Sequence, residues 1–342
     1  STPVFLIAEH FGQAGGGEAI KSYQYAQHLL GSGRPVLIFT HERCVKELGA
    51  SLPAEHLRLV AETRLQAFFW KSRIFRFLLQ PYFHIRARSL ILAEPLRDPR
   101  PILHYVAPVS PVAPRFSPAG FRRVFGPMTG NISYPPGFRA RMSLKDRARS
   151  RFHAPLQKLF GRIFREKRGE ARLLVSGYER TCESLLLAGC KRSQMMEVVD
   201  SGVSERVACS PRIVHRGRNP HFIASGRFVD YKAFDLAIRA VAEADPDITL
   251  DIYGDGSLRP RLQSLIRDLK LDSRVRLPGW AAHDRIFAAF QDKRGYVFPS
   301  LAEANGIAMQ EAMMAGLPVI TLRWGGPGRL ATPSSTAKPP SN

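Results

Sequence analysis

The chain has 342 residues, 44% of them apolar: too long for one ordinary domain and rich enough for two packed cores. Its formal net charge of +21 is extreme, and 22 Lys/Arg stand against 5 Asp/Glu between Gln66 and Arg172. Such a balance disfavours cationic partners and points to nucleic acid, an anionic membrane or a phosphorylated substrate. Cys44, Cys182, Cys190 and Cys209 make no C-x-x-C or zinc spacing and read as free thiols, and no apolar run approaches the ~20 residues of a membrane span.

The chain opens on "PVFLIAEH", a near-continuous apolar run that predicts a buried strand at once, so no signal peptide is expected. A glycine-rich loop follows, then the helical pattern "EAIKSYQYAQHLLGSG" and the strand "RPVLIFTHE". A strand, helix and strand in this order is a βαβ unit and implies a parallel sheet. Gly15, Gly16 and Gly17 open the helix. They suit a phosphate cradle, and equally a tight turn for helix packing. The spacing is not G-x-G-x-x-G, which argues against a dinucleotide dehydrogenase.

"FFWKSRIFRFLLQPYFHIRARSLIL" and "RARMSLKDRARSRFHAPLQKLFGRIFREKR" interleave aromatics with cations. That composition suits a helix lying on anionic lipid, an RNA surface, or basic helices with apolar sides in a core. Between them, "PILHYVAP" reads as a strand ending in His104. "FGPMTGNISYPPGF" mixes glycine, proline and polar residues and reads as a loop, with Asn131 and Tyr134 as its candidate binding residues. "ARLLVSGYERTCESLLLAGC" is strand, turn and helix, and "MEVVDSGVSE" a further strand.

Residues 1–203 are therefore expected to form one Rossmann-like domain, 204–219 a linker, and 220–330 a second, incomplete one. "TPSSTAKPPSN" has a composition that packs no core, so 331–342 is expected to be disordered. In the second domain "HFIASGRF", "ITLDIYGDG", "RVRLPGW", "GYVFPS" and "LPVITL" read as strands. Helices fall between them, one with Pro260 in its first turn, and others near 283–291 and 305–315.

"FPSLAEANGIAMQEAMMAGLPVI" (residues 298–320) places Glu303 and Glu311 eight positions apart in an otherwise apolar or neutral stretch. With Asn305 as N-cap, the first turn is Gly306-Ile307-Ala308 and presents unpaired N–H groups, a ready anion site. Glu311 lies about one and a half turns in at ~1.5 Å per residue, where neutral hydroxyls would satisfy its carboxylate. Carboxyl ends of parallel strands face the ligand crevice.

This stretch resembles the E-x7-E signature of family 4 retaining glycosyltransferases, which have the GT-B fold of two Rossmann-like α/β domains with parallel sheets facing across a cleft. "GQAGGGEAI", "LLVSGYER", "VVDSGVSE", "FIASGRFVDYKAFDLAIRAVA" and "LDIYGDGSLRPRLQSLIRDLKLDSRVRLPGW" match further blocks in the right order. The resemblance implies that Arg227 and Lys232 bind the donor diphosphate, Glu303 the transferred sugar and Glu311 the ribose. Asn305, Gly306 and Ile307 would offer N–H groups to the phosphates. Gly16, Gly17, Gly254 and Gly256 would line the donor. Two cations converging on a pyrophosphate neutralise the charge of the leaving group. Where the family has His-x-His, this chain reads His104-Tyr105-Val106, so His104 is a catalytic candidate set against a departure from the pattern.

The resemblance further implies a UDP- or GDP-linked sugar as donor substrate, no cofactor, no metal, and transfer of a hexose to a saccharide or lipid-linked acceptor, with "FGPMTGNISYPPGF" and its Asn131 and Tyr134 as an acceptor-side loop. It fits a cytoplasmic protein lying peripherally on the inner face of the cytoplasmic membrane, with no nucleic-acid partner. Two other readings stand beside it: a catalytically degenerate relative with a shortened end, and a basic nucleic-acid-binding protein that makes no use of Glu303 or Glu311.

Overall fold

A computed structural model describes residues 2–12, 17–45, 52–72, 74–95, 99–130, 134–165, 171–177, 179–199 and 220–331, with residues 167, 169, 202, 203, 209, 212 and 213 between them. Chain contacts divide into two units, Ser1–Asn131 with Arg151–Asp200, and Ile132–Ser150 with Ser201–Asn342. All of 1–203 was expected in the first unit, whereas residues 132–150 are grouped with the second, which resumes at Ser201.

In the first unit, β1 (Val4–Ile7), β2 (Val36–His41), β3 (Leu57–Val60), β4 (Ile102–Tyr105), β5 (Arg122–Thr129), β6 (Ala171–Ser176) and β7 (Met195–Glu197) form one sheet. Their order is β3-β2-β1-β4-β5-β6-β7, and every neighbouring pair is parallel. All four residues of β1 are buried, as a strand covered on both faces requires. Val4 pairs with Val36 on one side and Ile102 on the other, so the order reverses at β1.

β3 was not expected, because "LRLV" places an arginine inside a short run. β5 corrects a second expectation: "FGPMT" is strand rather than acceptor-side loop. Its Gly-Pro dipeptide looks like a turn in sequence. Here the register with β6 shifts between Phe125 and Met128, and the irregularity accommodates a proline that has no N–H to give.

The helices are α1 (Gly17–Gly31), α2 (Arg64–Lys71), α3 (Leu79–Ala93), α4 (Leu144–Ile163) and α5 (Glu179–Leu187). The segment read as a lipid-facing helix is α2 and α3. One side of α3 belongs to the core: Leu79, Phe83, Ala87 and Ile91 recur every four residues and are buried. The other side leaves Ile85 and Leu92 exposed.

In the second unit, β8 (His221–Ser225), β9 (Thr249–Tyr253), β10 (Val275–Gly279), β11 (Gly295–Phe298) and β12 (Val319–Thr321) form a parallel sheet in the order β10-β9-β8-β11-β12. Its helices are α6 (Phe234–Glu243), α7 (Arg259–Asp268), α8 (His283–Ala288), α9 (Ile307–Met314) and α10 (Gly325–Leu330). One core packs α6 and α7 over β8 and β9, and another packs α9 against β11. Tyr134 and Met142, from the 132–150 segment, join Ala233, Leu301 and Ala302 in a smaller cluster.

Candidate active site

Four loops leave the carboxyl ends of β8, β9, β10 and β11. Backbone bonds lock the first two together: Gly226 N–H donates to the Tyr253 carbonyl at 3.0 Å, and Phe228 N–H to that of Asp255 at 2.8 Å. Gly254 (φ 137°) makes this fit possible, since a Cβ there would lie 1.9 Å from the Gly226 carbonyl oxygen. Gly254 N–H in turn donates to the Gly279 carbonyl at 2.8 Å, binding in the end of β10.

Arg227, the second residue after β8, is exposed, and its Nη2 donates to the Tyr231 hydroxyl at 3.1 Å. The chain then turns through Asp230–Lys232. There the Tyr231 carbonyl accepts from Leu301 N–H at 2.8 Å and from Ser300 Oγ at 3.3 Å. Those bonds tie the loop after β8 to the loop after β11. They bring Lys232 to Glu303, whose Oε1 accepts a close hydrogen bond from Lys232 Nζ. Nζ also lies 5.3 Å from the centroid of the Phe298 ring.

The expected N-cap is one residue early. Gly306, not Asn305, occupies the cap position with φ 71° and ψ 74°, and Asn305 is buried at 2% exposure. A left-handed cap favours glycine, and a Cβ there would sit 2.8 Å from Cζ of Phe298. No side chain caps α9; the Gly306 carbonyl accepts from Met309 N–H at 3.0 Å and Gln310 N–H at 3.1 Å, which leaves the N–H groups of Ile307 and Ala308 without an intrahelical partner.

Glu311 lies on α9 with a side chain only 16% exposed. Its Oε1 is 2.8 Å from Nε2 of His283, the first residue of α8. The His283 ring lies near-parallel to that of Phe287 (15° between planes). Sequence reading missed His283. The available signal was its place just past the carboxyl end of β10, where Trp280, 77% exposed, also sits.

The second unit therefore gathers Arg227, Lys232, Glu303, Gly306, Ile307 and Glu311 in the loops and helix that follow β8 and β11, with Gly254 bracing Gly226. Gly256 (φ 154°) packs against the backbone of Phe228, where a Cβ would meet its carbonyl oxygen at 2.6 Å. An exposed guanidinium and uncapped helix amides suit an anion. The two carboxylates suit hydroxyl donors.

Other sequence candidates lie elsewhere. Gly16 and Asn131 lie outside the described residues, and Gly17 is the first residue of α1. Tyr134 is 3% exposed and packs in the second unit, which corrects its acceptor-side assignment to a packing one. Burial first, then the Asp146 and Asp230 charges, push its phenol up to about 12. His104 is buried on β4, and its Nε2 lies 2.8 Å from the Gly126 carbonyl. Burial lowers its pKa to about 4, which keeps the ring neutral and makes Nε2–H the donor. That bond joins β4 to the irregular point of β5 and is a structural role, against the catalytic one considered from sequence. Among the described residues, no group of three His, Cys, Asp or Glu side chains is placed to hold a metal ion. No described helix is long and apolar enough to cross a membrane.

Residues 210–337 match the family model "Glycosyl transferases group 1". A stretch of 108 residues is 38% identical to the lipopolysaccharide core biosynthesis glycosyltransferase LpsE of Rhizobium meliloti (strain 1021), covering 32% of this chain and 31% of that protein. Another, of 111 residues, is 33% identical to the GtfA subunit of the UDP-N-acetylglucosamine–peptide N-acetylglucosaminyltransferase of Streptococcus agalactiae, covering 32% of this chain and 21% of that protein. The matches thus span a fifth to a third of those relatives' length. Solved structures resemble the chain over nearly all of it. The apo lipopolysaccharide outer core galactosyltransferase WaaB superposes with a TM-score of 0.64 at 17% identity, covering 97% of this chain and 84% of that one. Anabaena Alr3699/HepE in complex with UDP gives 0.61 at 15%, covering 97% and 83%. The chain has the GT-B fold, and its second unit carries the sequence pattern of a group 1 glycosyl transferase domain.

Proposed function

We propose that the chain is a retaining glycosyltransferase of the E-x7-E type. It moves a hexose from a UDP- or GDP-linked sugar to a saccharide or lipid-linked acceptor in cell-surface polysaccharide or glycolipid synthesis. The observation that carries this reading is the meeting of Arg227, the Lys232–Glu303 pair, the uncapped start of α9 and Glu311 at the carboxyl ends of β8 and β11.

The donor pyrophosphate lies on the α9 amides and Arg227, where helix dipole and guanidinium both favour negative charge. Glu311, steadied by His283, accepts from the ribose hydroxyls. Glu303 accepts from hydroxyls of the transferred sugar. Lys232, held beside Glu303, meets the phosphate next to the sugar. As the bond between the anomeric carbon and the phosphate oxygen breaks, the electron pair leaves with the phosphate, and Arg227 and Lys232 balance its charge. The acceptor hydroxyl bonds to the same face of the anomeric carbon, and its proton passes to the leaving phosphate. Neither a divalent ion nor His104 is needed in this scheme. UDP in the solved structure of Alr3699/HepE and UDP-N-acetylglucosamine in the name of the GtfA relative support a nucleotide-sugar donor.

The test is calorimetric titration with UDP, GDP and ADP in the absence of metal, on wild type, Arg227→Ala and Glu311→Ala. One nucleotide should bind, and each substitution should weaken it about tenfold or more, the loss of one charge-assisted hydrogen bond. A folded wild type that binds none of the three overturns the reading.

A further inference from the structure

The first unit holds a cavity of about 350 Å³ at the amino ends of its strands. Pro3, Pro35 and Pro101 line it, and each immediately precedes a strand, β1, β2 and β4 in turn. Open parallel sheets place their usual ligand crevice at the other, carboxyl end. The volume lies within the range of small-molecule sites, about 300–1,000 Å³.

Its walls are apolar. Phe5, Val36 and Leu37 contribute from β1 and β2, and Pro95 is a fourth proline. A proline has no N–H to offer a ligand. The carbonyls of Pro3 and Pro35 are already taken, by Ile102 N–H and Val4 N–H, both at 2.9 Å.

Three polar side chains remain in the lining: Glu55, His56 and Glu94. His56 Nδ1 lies 2.8 Å from the Val36 carbonyl, which can only accept, so Nδ1 carries the hydrogen. Nε2 of the neutral ring is then an acceptor. Glu94 accepts from Nε and Nη2 of Arg58, and Arg58 Nη1 donates to the Glu55 and Leu57 carbonyls at 2.9 and 3.0 Å. That guanidinium is therefore spent on its neighbours. The Glu55 carboxylate is 80% exposed, and its ion-pair neighbour among the described residues is His56, with Nε2 3.8 Å away.

The cavity thus combines apolar walls with side chains that accept hydrogen bonds and do not donate them. One is a carboxylate without a full counter-charge, on a chain of formal charge +21. An anion would find no donor there and would face Glu55. An apolar ring bearing an ammonium group meets both demands: the walls take the ring out of water, and the N–H groups reach Glu55 and His56 Nε2.

We propose that this cavity, with Glu55 and His56 at its polar edge, is a binding site for a small hydrophobic amine. The proposal does not rest on the transferase reading, since none of its residues belongs to the constellation of the second unit.

The experiment is saturation-transfer NMR on the full chain near neutral pH, titrating phenethylamine, 3-phenylpropionate and methylamine into wild type and Glu55→Gln. Phenethylamine should saturate wild type. 3-Phenylpropionate carries a similar ring and chain with the opposite charge, and methylamine carries the charge without the ring; neither should saturate. Glu55→Gln changes an exposed side chain and should melt as wild type does, yet weaken phenethylamine about tenfold, as the loss of one charge-assisted hydrogen bond does. No saturation of wild type by phenethylamine overturns the site. So does equal binding of phenethylamine by the two proteins, or binding of 3-phenylpropionate or methylamine as tight as that of phenethylamine.

Discussion

At the scale of single residues, Glu9 has a titration that can be followed. Burial of this side chain after β1, 1% exposed, raises its pKa from 4.5 to about 7; the Arg43 charge, a hydrogen bond from Gln66 and the Arg76 charge lower it by less, and Glu18 adds to the rise. A carboxyl raised in the folded state contributes stability that is full below its unfolded pKa and lost as pH climbs through the folded one. Glu9→Gln should therefore gain on wild type between pH 4.5 and 7, by on the order of 3 kcal/mol at the top of the range at about 1.4 kcal/mol per unit. Denaturant midpoints of the two proteins at pH 5 and pH 8 check this; parallel shifts would refute it.

Residues differed in how far the sequence exposed them. Glu303 and Glu311 were legible because their spacing and apolar setting lie within one short stretch. The partners were not: Lys232 is 71 positions from Glu303 and His283 is 28 from Glu311, and only the sheet's order brings them together. The cap was misread by one residue because asparagine is a good N-cap in general. Here the close approach of Phe298 demands glycine at the next position. Glu9 stood in plain view at the end of "PVFLIAEH", yet nothing in a lone acid after a strand marks it as buried.

Among elements, the near-continuous apolar strands β1, β2, β4, β6 and β8 were legible. β3 and β5 were not, since arginines and a Gly-Pro pair imitate loops. Pairing across elements was equally hidden. Asp251 on β9 accepts from Arg276 of β10 at 2.8 and 3.1 Å and from Lys293 at 3.0 Å. Burial would raise its pKa, but these bonds overcome it and hold the carboxyl below its ordinary value. Lys293 is itself only 6% exposed. Asp251→Ala should cost about 3–5 kcal/mol, because it strands a buried ammonium near the exposed Asp292. Lys293→Met with Asp251→Leu should recover much of that loss. Thermal melts of the single and double variants decide it, and a single variant as stable as wild type would contradict it.

On the scale of the whole molecule, charge and apolar exposure coincide in the first unit. Ile74 and Phe77 are 74% and 70% exposed, Phe68 and Ile85 about half, among Lys71, Arg76, Arg86 and Arg88. This is the pattern expected of a face that lies on anionic lipid. Sedimentation with phosphatidylglycerol vesicles should recover the protein, phosphatidylcholine vesicles should not, and salt should release it. Ile74→Ser with Phe77→Ser should weaken recovery several-fold while leaving nucleotide binding intact. Equal recovery with both lipids, or capture by RNA instead, would refute a lipid face.

The chain passes between its two units at 131/132, at 150/151 and at 200/201. A cut near residue 200 therefore does not yield two self-sufficient halves. The downstream piece would lack Tyr134 and Met142, leaving Ala233, Leu301 and Ala302 uncovered beside the loop that carries Glu303. Recombination between related genes would meet the same obstacle. A second unit grafted onto a foreign partner keeps its seal only if residues 132–150 travel with it, although fifty positions of sequence lie between.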